Sequence, residues 1–270
     1  MTATSQSETE DVAVTREAFR ATNEQNEGVL RPLIELHLGV YDAILDDLVV
    51  AHATAGEDRR LDLAGPSRHA AMWLVTGRCI GLARASLDLV RMGYASEAVP
   101  TIRSLHEANR LLGVFALRGE EELVSRWIEG RAVTRKAIMD ASKRQEEAIR
   151  AEMLRAGVTP PMSTKSYLDG QYGRWSEIAH QRRKHLLDQV APVARLMAVG
   201  PHPDWRARAA TVDHFGDVLG ELVSAGGHAL ARLLGPGVGD SFQRTFGALM
   251  SLKRKVELAQ LAQRRAADGG

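Results

Sequence analysis

The 270-residue chain has a single cysteine, Cys79, so no disulfide can close within it. That cysteine lies in the apolar run WLVTGRCIGLA, where a buried, inert thiol is the simpler reading. Aromatic residues are only 5% of the sequence. Sheets draw on aromatic and β-branched residues, whereas the Ala and Leu abundant here lose little on entering a helix. Charge of one sign is also missing. Lys and Arg total 35 against 34 for Asp and Glu, so no global field draws the chain to nucleic acid, although a local patch can. No uncharged apolar run approaches the ~20 residues that a membrane span needs. The opening MTATSQSETEDVAV lacks the basic-then-apolar order of a signal peptide, which points to the cytoplasm. A Gly-rich phosphate loop, a nucleophile elbow and zinc-type Cys/His spacings are all absent, so the sequence implies no cofactor.

What remains is a helical rhythm of 3.6 residues. Residues 1–11 read as a frayed N-terminus and 12–267 as a single all-helical domain with a loop near 158–164. A helix is expected around 12–25, and another over 29–54 with Leu33, Leu36, Val40, Ile44 and Leu48 on one stripe. The charged loop 55–67 ends in Gly-Pro-Ser, and Ser67 suits an N-cap. The next helix should stop at Gly93, in the C′ position that glycine favours. A further helix runs from Ala95 to Arg118, with Pro100 near its start. Residues 67–118 thus form an antiparallel hairpin at the centre of the fold. Residues 120–156 read as one charged helix, and 167–190 as another after the break VTPPMST. Pro192, Pro201 and Pro203 make 190–204 irregular, with room for a short strand. Helices over 205–234 and 240–266 flank a Gly-Pro-Gly turn at 235–237. The expected fold is all-α, an irregular bundle of about seven to eight helices.

One stretch, YGRWSEIAHQRRKH (172–185), carries candidate chemistry. At ~100° per residue Arg174, Glu177 and His180 make an oblique stripe whose neighbours, three apart, can touch. The bland alternative is a solvated arginine beside a helix histidine with satisfied hydrogen bonds. The same spacing recurs at Arg208 and His214. Glu177-Ile-Ala-His180 is also a Glu-x-x-His unit of the kind used in di-iron bundles, to which Glu107 and Glu221 could add ligands. No second such unit exists in the chain.

The spacing Arg-x5-His resembles the R-x4-6-H motif of the HEPN family of helical nucleotide-binding proteins and ribonucleases. That resemblance implies a homodimer and metal-independent cleavage of RNA by its own 2′-hydroxyl, in a defence or toxin setting. His180 would move a proton, Arg174 would hold the scissile phosphate and Glu177 would assist. Arg182, Arg183 and Tyr172 would bind substrate. A second resemblance is broader. GYASEAVPTIRSLHEANRLL, YGRWSEIAH and the later Gly-Pro break are similar to a set of bacterial all-helical proteins with no reaction attached, over residues 67–235. In that light Arg103, Glu107 and His106 on the second hairpin helix form a polar cluster that His180 could join. Such a cluster would fix how two helices dock in a non-catalytic module that binds a protein or a small ligand.

Overall fold

The structure, a computed structural model, describes residues 4–57, 67–116, 120–157 and 204–235. It also describes the pieces 190–191 and 196–197 and the single positions Leu61, Thr159, Arg244, Gly247, Ser251 and Lys255. The all-α class is what it has. Six helices occur among the described residues, against the seven to eight expected over the whole chain: α1 (Thr4–Gly56), α2 (Arg68–Arg91), α3 (Ala95–Ala116), α4 (Glu121–Ile128), α5 (Arg135–Arg155) and α6 (Trp205–Leu234). A two-residue antiparallel ladder pairs β1 (Val190–Ala191) with β2 (Leu196–Met197) inside the irregular stretch. The helix expected over 167–190 and the loop near 158–164 lie outside the described residues, except Thr159 and Val190. So does most of 240–266, where the backbone at Arg244, Gly247, Ser251 and Lys255 is helical.

The α2–α3 hairpin forms as its local signals dictate. The Ser67 hydroxyl accepts from the Ala70 amide at 3.1 Å, satisfying a donor that the first turn leaves open. At the other end Gly93 adopts φ 84°, and the amides of Gly93 and Tyr94 donate to Val90 and Leu89, a Schellman cap. The hairpin is held across its axis by the Ser86 hydroxyl, which donates to Thr101 at 3.0 Å.

Two expectations need correcting. First, α1 is one continuous helix of 53 residues, not two, and it begins inside the stretch read as frayed. Gly28 and Pro32 weaken its middle, since proline removes one backbone hydrogen bond. Arg31 pairs across them with Glu27 at 3.3 Å and Glu35 at 2.9 Å, an i,i+4 bridge on each side. The expected apolar stripe also divides: Ile44 and Leu48 are buried, whereas Leu36 is 51% exposed. Second, residues 120–156 are two helices. Gly130 takes φ 70°, and the amides of Gly130 and Arg131 donate to Trp127 and Arg126, ending α4 as Gly93 ends α2. Thr134 then caps α5 by accepting from the Ala137 amide at 3.3 Å.

One core joins α1, α2, α3 and α6, with α4 against α2 and α5 against α3. Helix α6 packs on both α1 and α3. Along α1 it ascends with the chain: Asn23 meets Trp205, Tyr41 meets Val212, and Leu48 meets Gly226. Along α3 it descends: His106 meets Glu221 and Asn109 meets Val218. Since α1 and α3 both run opposite to α2, α6 must cross the bundle obliquely. Gly216 permits that crossing, because a Cβ there would lie 2.1 Å from the Tyr41 hydroxyl oxygen. Burial, aided by Asp213 and Asp217, holds the Tyr41 phenol well above its ordinary range.

Candidate functional site

The densest buried polar group lies where α3 meets α6. On α3 the face Ile102, Leu105, His106, Asn109 and Leu112 is buried at helical spacing. His106 and Asn109 therefore enter an apolar layer, where each needs a partner. The facing helix supplies both: Glu221 Oε2 lies 2.6 Å from His106 Nδ1, and Asn109 Nδ2 donates to the Val218 carbonyl at 2.9 Å. Arg110, one turn along from His106, donates from Nε to His106 Nε2 at 3.0 Å and reaches Met139 Sδ on α5 at 2.9 Å. With Nε2 facing an arginine donor, Nδ1 is the nitrogen placed to donate to Glu221. Both ring nitrogens are engaged, and the ring has 1% of its surface exposed. Asn109 Oδ1 is buried and accepts no hydrogen bond.

The polar cluster expected at Arg103, His106 and Glu107 is thus drawn in two directions. Arg103 and Glu107 pair along α3 at 3.4 Å, both partly exposed, a contact of small energetic weight. His106 turns the other way, toward α6. Tyr172, Arg174, Glu177, His180, Arg182 and Arg183 lie outside the described residues, as does any approach of His180 to Arg103 and Glu107. Glu221, a possible metal ligand by sequence, is the residue that faces His106. A histidine and an asparagine in an apolar stripe announce that polar groups must face them, though not which ones.

A second histidine clasp joins α1 to α2. His52 stacks on Trp73, with ring centroids 4.6 Å apart and planes 12° from parallel. Two hydrogen bonds lock the pair: His52 Nε2 donates to the Trp73 carbonyl at 3.0 Å, and Trp73 Nε1 donates to the His52 carbonyl at 3.1 Å. Gly77 leaves the space that His52 fills, since a Cβ there would lie 3.0 Å from the ring.

The repeated Arg-x5-His spacing can be followed at Arg208 and His214. Six residues carry a side chain about 240° round a helix, so the two diverge. Arg208 lies 4.0 Å over the Trp205 ring, and burial pulls its guanidinium below the ordinary arginine range. Cys79 is fully buried, and burial pushes its thiol up to about 12. Among the described residues no three His, Cys, Asp or Glu side chains are grouped to hold a metal ion, Glu107 and Glu221 included. No described helix is long and apolar enough to cross a membrane. The chain matches no protein-family model, no curated protein and no solved structure.

Proposed function

We propose that the protein is a non-catalytic helical scaffold, a cytoplasmic module that presents its surface to a protein or small-ligand partner. The supporting observation is the state of His106. An acid–base residue needs a nitrogen that a substrate can reach. Here both nitrogens are committed, one to Glu221 and one to Arg110, and the ring is sealed between α3 and α6. Its work is to set the docking of two helices. In this reading His106→Ala lowers the melting temperature, and no hydrolytic activity accompanies the folded protein.

A second reading rests on Arg174, Glu177 and His180, whose spacing and adjoining basic run QRRKH suit a HEPN-like, metal-independent endoribonuclease acting as a homodimer. One experiment separates the two. Purified protein is incubated with mixed RNA in chelator, beside Arg174→Ala and His180→Ala. Intact RNA throughout supports the scaffold. Cleavage by the wild type that both folded variants lose would overturn it in favour of the nuclease.

A further inference from the structure

Helix α1 is more than twice as long as α2, with 53 residues against 24. Its inner face carries the core residues Ile34, Leu38, Tyr41, Leu45 and Leu48. A second apolar stripe lies about 150° away. It comprises Val29, Leu33, Leu36, Val40, Ala43 and Val50, alternating steps of four and three residues apart from Asp47 between the last two. Val29 is 40% exposed, Leu36 51% and Val50 65%; Leu33 and Val40 are half-buried, Val40 against the chain's own core.

We propose that this stripe binds the same stripe of a second copy of the chain, antiparallel, about a two-fold axis near Leu36. From Val29 to Ala43 the pattern is self-complementary about that point, as a two-fold interface requires, while Val50 falls opposite Thr22. Leu36 meets its own copy, Leu33 lies against Val40, and Val29 lies against Ala43. The polar residues bracket this centre: Thr22, Gln25 and Asn26 on one side, Asp47 on the other. Charge selects the direction. A parallel pair would set Asp47 against Asp47, whereas the antiparallel pair sets it against the neutral Gln25. The stripe holds no other charged side chain. The dimer is independent of whether the module is a scaffold or a nuclease.

The test uses the full chain. Light scattering at micromolar concentration should give twice the monomer mass for the wild type and for Leu154→Asp, which alters a still more exposed position on α5. It should give the monomer mass for Leu36→Asp, with unchanged helical circular dichroism. Because Cys79 is sealed in the core, Leu36→Cys adds one accessible thiol, which mild oxidation should link into a covalent dimer. Val50→Cys should not link, since antiparallel copies place those positions roughly 40 Å apart. A monomeric wild type, a dimeric Leu36→Asp, a Leu36→Cys that fails to link or a Val50→Cys that links as fast each overturns the proposal.

Discussion

Two histidines clasp this bundle, and they do so by different physics. His52 stacks on an indole and bonds to a main-chain carbonyl, so its partners are neutral and remain hydrogen-bond capable without it. His106 bonds to a carboxylate and accepts from a guanidinium inside the α3–α6 interface. Removing it takes away the ring that lies between a part-buried carboxylate and a guanidinium. Hydrogen bonds to charged groups are worth about 1.5–3 kcal/mol, neutral ones about 1, and an unsatisfied buried partner adds its own penalty. The lesson is that two residues of one type, both meeting apolar layers, differ in consequence according to what they face.

The largest expected effect follows directly. His106→Ala should destabilise the fold by about 3 kcal/mol, combining a cavity with a broken charged contact. Chemical denaturation of the purified variant measures it. A loss below that of His52→Ala would invert the comparison.

Next comes the α1–α2 clasp itself. His52→Ala should cost about 1–1.5 kcal/mol and change the emission of Trp73, whose ring would lose its stacked neighbour. Gly77→Ala attacks the same clasp from the opposite side. Its new Cβ would press within 3.0 Å of the imidazole, so a net loss of about 1 kcal/mol is expected despite the better helix former. Gly81, one turn further along α2, faces open space. There the same substitution should stabilise by about 0.5–1 kcal/mol. Opposite signs one turn apart, read from paired melting curves, would localise the clasp. Equal signs would mean His52 does not fill the space above Gly77.

The effect that is smallest at neutral pH, and grows only in alkali, concerns ionisation. The Cys79 thiol stays protonated in the fold up to about 12, while an unfolded cysteine ionises near ~8.5. Above that lower value the unfolded chain has released a proton that the fold keeps. The stability from burying the neutral thiol is therefore complete below ~8.5 and declines as pH rises toward the folded value. Tyr41 adds a change of the same sign at higher pH. Cys79→Ala should flatten the early part of this alkaline decline, and in the wild type a disulfide reagent at neutral pH should label the thiol only on unfolding.

The parts of the fold set by local chemistry were legible in the sequence. Ser67, Gly93 and Ala95 delimit the hairpin because a cap and a turn need particular residues at particular places. The α4–α5 break was carried by the same signals at Gly130 and Thr134, hidden under a regular run of Glu and Arg. The continuity of α1 was not legible, because Gly28 and Pro32 argue locally for an end while ion pairs and the contact with α6 hold the helix together. Nor was the pairing of His106 with Glu221, which joins residues 115 apart in sequence. Residue type announces that a partner is needed, but only the oblique course of α6, set by Gly216 under Tyr41, decides which one.

The central claim is that His106 and Glu221 act on each other to dock α3 against α6. A double-mutant cycle of His106→Ala, Glu221→Ala and the pair, followed by denaturant unfolding, measures that directly. The account predicts a coupling of about 2 kcal/mol, with the double variant losing clearly less than the two single losses combined. Losses that add to within about 0.5 kcal/mol would show that the two side chains do not depend on one another, and would contradict it.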